Sequence, residues 1–209
     1  MKTPFAMLLV STALAASGCV SLLPEPPPAP RFYPLEASTS VPAQGVVVDA
    51  VASVAPPTGP QVLMGDGIVW RSEGTLAYMG GAAWPGRAPD LLQAMLAQTI
   101  TRQGRLSAGV RAGEGLRGDV EVRWDLIAFE IVEQDGSLEA RFAAHVRIVQ
   151  SRGRALLHSE IVDLSVPLQS RNGASAAAAL ARAAQEACAR IAAMTADAAA
   201  NLEPAAGER

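Results

Sequence analysis

From residue 119 onward, apolar and polar positions alternate with a period of two, as in strands with one buried face. Val120, Val122, Trp124 and Leu126 share one face, and the phase then slips to Ile127, Phe129 and Ile131. A one-residue slip turns every later side chain to the other face unless the strand is bulged. A bulge or sharp twist is therefore predicted at Leu126–Ile127. "QDGS" (134–137) centres Asp-Gly in a turn. The next run (138–150) sets Leu138, Ala140, Phe142, Ala144, Val146 and Ile148 against Glu139, Arg141, His145 and Arg147. "SRGR" (151–154) turns again into a third strand, 155–168. The three strands read as an antiparallel meander with one buried face.

Upstream, 31–36 and the Val-rich 45–53 read as strands, and "PPTGP" (56–60) breaks the chain. A hairpin is predicted over 67–81, with Ile68, Val69 and Trp70 on one arm, Thr75 to Met79 on the other, and Ser72, Glu73 and Gly74 at the turn. The period changes to 3.6 over 88–104, where Leu91, Leu92, Met95, Leu96, Thr99 and Ile100 recur on one helical face. Pro89 and Asp90 suit the start of that helix and Gly104 its end. The Gly-rich run 107–118 reads as a flexible loop. The Ala-rich segment 172–202 reads as a long helix with Leu180, Ala184, Cys188, Ile191, Thr195 and Ala198 as its apolar stripe. The elements predict an α+β fold, a mainly antiparallel sheet with two helices packed on one face.

Composition adds an address. Half of the 209 residues are hydrophobic, net charge is −3, and Lys2 is the only lysine. No block of basic residues points to nucleic acid. The first 18 residues have a basic start, an apolar stretch and the small residues Ala16, Ser17 and Gly18 before Cys19, the pattern of a lipoprotein signal peptide. Cys19 is the expected lipidation site, so no disulfide with Cys188 is expected. The alternative is an ordinary secreted protein cut near Ala16 with Cys19 free. Val20 rather than Asp after the cysteine favours the outer membrane over the periplasmic face of the inner membrane. Residues 19–30 form a Pro-rich tether; extended at about 3.1 Å per residue, it reaches on the order of 35 Å. The folded domain is expected over 31–202, with a frayed tail at 203–209.

Residue types that carry chemistry are sparse. The Gly-rich run lacks the lysine of a phosphate-binding loop. His145 and His158 fall on strands, with no Cys, His or Asp cluster at ligand spacing, so no metal is expected. Cys188 lies on an apolar stripe, without the base or exposure a nucleophile requires. Carboxylate pairs such as Asp119/Glu121 and Glu130/Glu133 fall on strand edges or turns. These features argue against an enzyme. Trp70, Tyr78 and Trp84 cluster around the hairpin and the lead-in to the first helix. They either line a partner or ligand surface or pin hairpin and loop to the core.

In order along the chain, the lipoprotein leader with its tether, "MGDGIVWRSEGTLAYMGGAAWPG" (64–86), "LLQAMLAQTITRQGRLSAGV" (91–110), and the meander with its closing Ala-rich helix resemble the ABC-type transport auxiliary lipoprotein family (PqiC-like). Trp70, Pro85, Leu106 and Met194 depart from the family's usual residues. The resemblance implies a periplasm-facing lipoprotein with no cofactor beyond the covalent lipid on Cys19. It would work with an MCE-domain protein and the ABC permease and ATPase of a system moving phospholipid or other hydrophobic molecules. The alternatives are a structural or assembly lipoprotein of another outer-membrane complex, and a lipid-carrying module with its own pocket. A homo-oligomer is compatible with either role.

Overall fold

The computed structural model describes residues 29–39 and 45–202. The segments expected as signal peptide (1–18) and tail (203–209), Cys19, and nearly all of the expected tether lie outside the described residues. Eight strands form one sheet: β1 (Arg31–Phe32), β2 (Val48–Val54), β3 (Gly67–Ser72), β4 (Thr75–Ala83), β5 (Leu106–Arg111), β6 (Val120–Gln134), β7 (Ser137–Gln150) and β8 (Leu156–Pro167). Two helices, α1 (Ala88–Gln103) and α2 (Gly173–Ala200), complete the α+β domain.

The spine is the β6–β7–β8 meander, paired antiparallel along nearly its whole length. The other edge of β6 serves two arms. Its first half pairs parallel with β2, which carries β5. Its second half pairs parallel with β3, which carries β4 and then β1. Between the arms the 55–66 segment bridges to β6: Leu126 N–H donates to the Thr58 carbonyl at 2.7 Å, and the Thr58 and Asp125 side chains are hydrogen-bonded.

The phase slip in β6 is a bulge. Leu126 pairs with Ala144 and Ala128 with Ala143, leaving Ile127 as the extra residue. Val120, Val122, Trp124 and Leu126 are buried before it, Phe129 and Ile131 after it. Ile127 was expected to begin the inward set, but the bulge turns it out to 45% exposure. The hairpin turns follow sequence closely. Glu73–Gly74 and Asp135–Gly136 both have positive φ at each position, the geometry that matches strand twist.

Two strand expectations change. Residues 31–36 pair only at Arg31–Phe32, because Pro34 interrupts the run after Tyr33 N–H donates to Ala83. In 45–53, pairing begins at Val48, with Val46 and Val47 exposed. The Gly-rich run is not a loop throughout. Leu106–Arg111 forms β5, paired parallel to β2 and covered by α1.

Helix α1 ends at Gly104, which has φ +69° and donates its N–H to Thr101. Helix α2 is capped by Asn172, whose side chain accepts from Ser175 N–H at 2.9 Å. The whole predicted stripe of α2 is buried, and its many Ala side chains let it lie close against the sheet and α1. Trp84, Phe129, Phe142 and Trp124 fill the core with offset and edge-on contacts at 5.6–6.4 Å.

One tie had no signal in the sequence. Arg105 is buried at 4% exposure between α1 and β5. Its guanidinium pairs with Asp197 at 2.7 Å and donates to the Val46 and Ala193 carbonyls, fastening the end of α2 to the start of β2.

Cys188 is fully buried, and desolvation pushes its thiol pKa far up. Maleimide should modify Cys188 on the order of 100-fold more slowly in the native protein than in denaturant. Rapid native labelling, read by mass, would contradict this packing.

Candidate functional site

The aromatic trio does not form one surface. Trp84 is in the core: it is 1% exposed and stacked on Phe129 at 5.6 Å and 19°. Its backbone N–H donates to Asp66 at 2.7 Å, and Ala88 N–H donates to Gly65 at 2.8 Å, so the 64–67 loop is tied to the start of α1. Trp84 therefore pins the hairpin and loop and has no surface to offer a partner.

The other two aromatics lie on opposite faces of the hairpin. The register pairs Trp70 with Ala77 and Val69 with Tyr78, which places Trp70 and Tyr78 on different sides. Trp70 is half-buried near the start of α2. Its indole N–H donates to Glu133 at 3.2 Å, the Arg171 guanidinium lies 5.8 Å from its ring centre, and Arg171 pairs with Glu133. Tyr78 is 55% exposed on the open face, with its hydroxyl donating to the Val62 carbonyl at 3.2 Å. Its ring lies flat on Gly67, where a Cβ would come within 2.4 Å of ring carbon Cδ1. This contact gives the glycine of the "DGIVW" run a physical reason.

Groups with catalytic potential are held in structural pairs. His145 bonds Ser159 at 2.9 Å, and His158 meets Glu160 at 3.2 Å. Among the described residues no three His, Cys, Asp or Glu side chains are grouped to hold a metal ion. Glu130, 1% exposed, accepts both arms of Arg71 at 2.7 and 3.1 Å. Asp119 accepts from Val51 N–H, and Glu121 pairs with Arg123. On the open face the Arg141 fork holds the Asp163 carboxyl below its ordinary range, and on the helix-covered face the His158 ring, then Arg190 of α2, does the same for Glu160. Lowered carboxylates of this kind serve ion pairing; a general acid at neutral pH would need the opposite shift.

Among the described residues, several concave surfaces are open grooves. One of about 450 Å³ lies between α1 and β5, lined by Gln98, Thr101 and Arg111. Another of about 520 Å³ lies between the β3–β4 and β6–β7 turns. Where the sheet meets α2, Leu180, Ala184, Cys188 and Ile191 are at 0% exposure against Phe142, Val146 and Ile148, also at 0%.

Replacing Gly67 by Ala should destabilise the domain by about 1–3 kcal/mol by driving the Tyr78 ring off the hairpin. Adding Tyr78→Ala should recover part of that loss, since the clash has then gone. Chemical denaturation of the single and double variants measures the coupling; strict additivity would contradict the contact.

No curated protein matches the chain. Among solved structures, a Xanthomonas campestris protein of the DUF330 family superposes with TM-score 0.68 at 21% identity, over 81% of this chain and 94% of that one. An uncharacterized protein superposes with TM-score 0.63 at 16% identity, over 80% of this chain and 99% of that one. Both share the fold. Residues 33–192, from Tyr33 through most of α2, match the family described as ABC-type transport auxiliary lipoprotein component, and the chain belongs to that family.

Proposed function

We propose that this chain is the outer-membrane-anchored, periplasm-facing auxiliary lipoprotein of an MCE-type ABC transport system that moves phospholipid or another hydrophobic molecule across the envelope. Cys19 carries the acyl chains, and residues 20–30 hold the domain off the bilayer. One acyl chain anchors only marginally, at about 0.8 kcal/mol per buried CH₂, so stable attachment rests on several chains together. The domain binds the MCE-domain protein, while the permease and ATPase reside in other chains.

The observation that carries this reading is the family membership of a domain whose histidines and most buried carboxylate, Glu130, are held in structural pairs. Such a domain acts through its position and its surface. The filled contact between α2 and the sheet favours this over a module that carries lipid inside itself.

Mass spectrometry of the mature N-terminus should find triacylated Cys19, and Cys19→Ser should release the protein from membranes. Crosslinking in cells with the MCE-domain protein as bait should recover this chain. An unmodified Cys19 would overturn the anchor. Recovery of the bait without this chain, under conditions that capture the permease, would overturn the partner.

A further inference from the structure

Most arginines among the described residues have a partner, a carboxylate for eight of them and backbone carbonyls for Arg87, Arg102 and Arg182. Among the described residues, Arg71, Arg141, Arg147 and Arg190 are paired with carboxylates, and Arg102 donates to the Ala37 and Ser38 carbonyls. The arginines without such a partner are Arg31, Arg117, Arg152 and Arg154, and three of these four gather at one end of the sheet. Arg117 and Arg152 line an open groove of about 540 Å³, and Arg154 stands in the same 151–154 turn as Arg152.

The groove lies where β6 begins and β7 ends, and the Ser151 N–H donates to the Asp119 carbonyl across its floor at 2.9 Å. Its two carboxylates are engaged, Asp119 with Val51 N–H at 2.9 Å and Glu121 with Arg123 at 3.0 Å. Arg123 balances Glu121, so Asp119 is the one carboxylate in the groove wall without an arginine partner, set against the three arginines. Leu116 adds an apolar spot on the same wall and is 63% exposed. Arg31, by contrast, lies on β1 beside Ala82, in the β3–β4 arm and away from this groove.

We propose that this groove docks an acidic, extended segment of a partner protein, with carboxylates pairing to Arg117, Arg152 and Arg154 and one apolar side chain resting on Leu116. The planar guanidinium fork matches a carboxylate with two parallel hydrogen bonds. An open groove at this end admits a peptide backbone, and exposed charge steers its encounter. The choice of a protein over a lipid surface rests on shape and charge: the arginines border a groove whose wall also carries Asp119 and Glu121, which suits an extended segment with carboxylates at set positions and not a flat anionic surface.

The test uses the full mature protein, a fluorescein-labelled ten-residue peptide rich in glutamate with one leucine, and fluorescence anisotropy at low and moderate salt. Saturable binding is expected, weakening as salt screens it. Arg117→Glu with Arg152→Glu should weaken it about tenfold or more, while Arg31→Glu should leave it unchanged. Both groove residues are exposed, and an unaltered thermal midpoint checks that the variant is folded. Absent binding, or equal binding by wild type and the double variant, would overturn the proposal. Flotation with phosphatidylglycerol vesicles that is lost in the double variant, without peptide binding, would also overturn it in favour of a lipid contact. Acylation of Cys19 is read separately by mass, so failure of the groove is distinguishable from failure of the anchor.

Discussion

The bulge at Ile127 is the constraint on which the sheet depends. β6 is long enough to serve two arms, and each arm must bury its own apolar residues beneath the helices. A regular strand of this sequence would turn Phe129 and Ile131 to the open face while Trp124 and Leu126 stayed inside. One extra residue restores the phase, so both halves feed one core. The exposed side chain of Ile127 is the local cost. The 55–66 segment then fills the notch between the arms through Thr58.

On this spine the Ala-rich helix α2 determines how the core closes. Small side chains along its buried stripe let helix and strands approach closely, and the bulk comes from the sheet as Trp124, Phe129 and Phe142. Arg105 fastens the far end of α2, and Trp70 with Arg171 and Glu133 fastens the near end. The longest helix of the domain is thus tied down at both ends.

Much of this was legible in residue order. Alternation located the meander, Asp-Gly located its first turn, the 3.6-residue period located α1 with Gly104 at its end, and alanine propensity located α2. These features are local, and local spacing reports them directly. The parts that were not legible are long-range. β5 is a strand because β2 and α1 cover it, although its own Gly and Ser read as a loop. The aromatic trio looked like one cluster, yet hairpin register sends Trp70 and Tyr78 to opposite faces and packing sends Trp84 inside. Arg105 resembles any other arginine in the sequence, and its burial follows from where α2 ends. The arginine groove likewise emerges only once the other described arginines, Arg31 apart, have found their partners.

The central proposal is that the domain works by its surface and its lipid anchor, and the filled contact between α2 and the sheet supports it. Native mass spectrometry of a soluble Cys19→Ser protein tests this most directly. The account predicts the bare polypeptide mass, with no phospholipid retained. A stoichiometric phospholipid that survives gentle desolvation would contradict it.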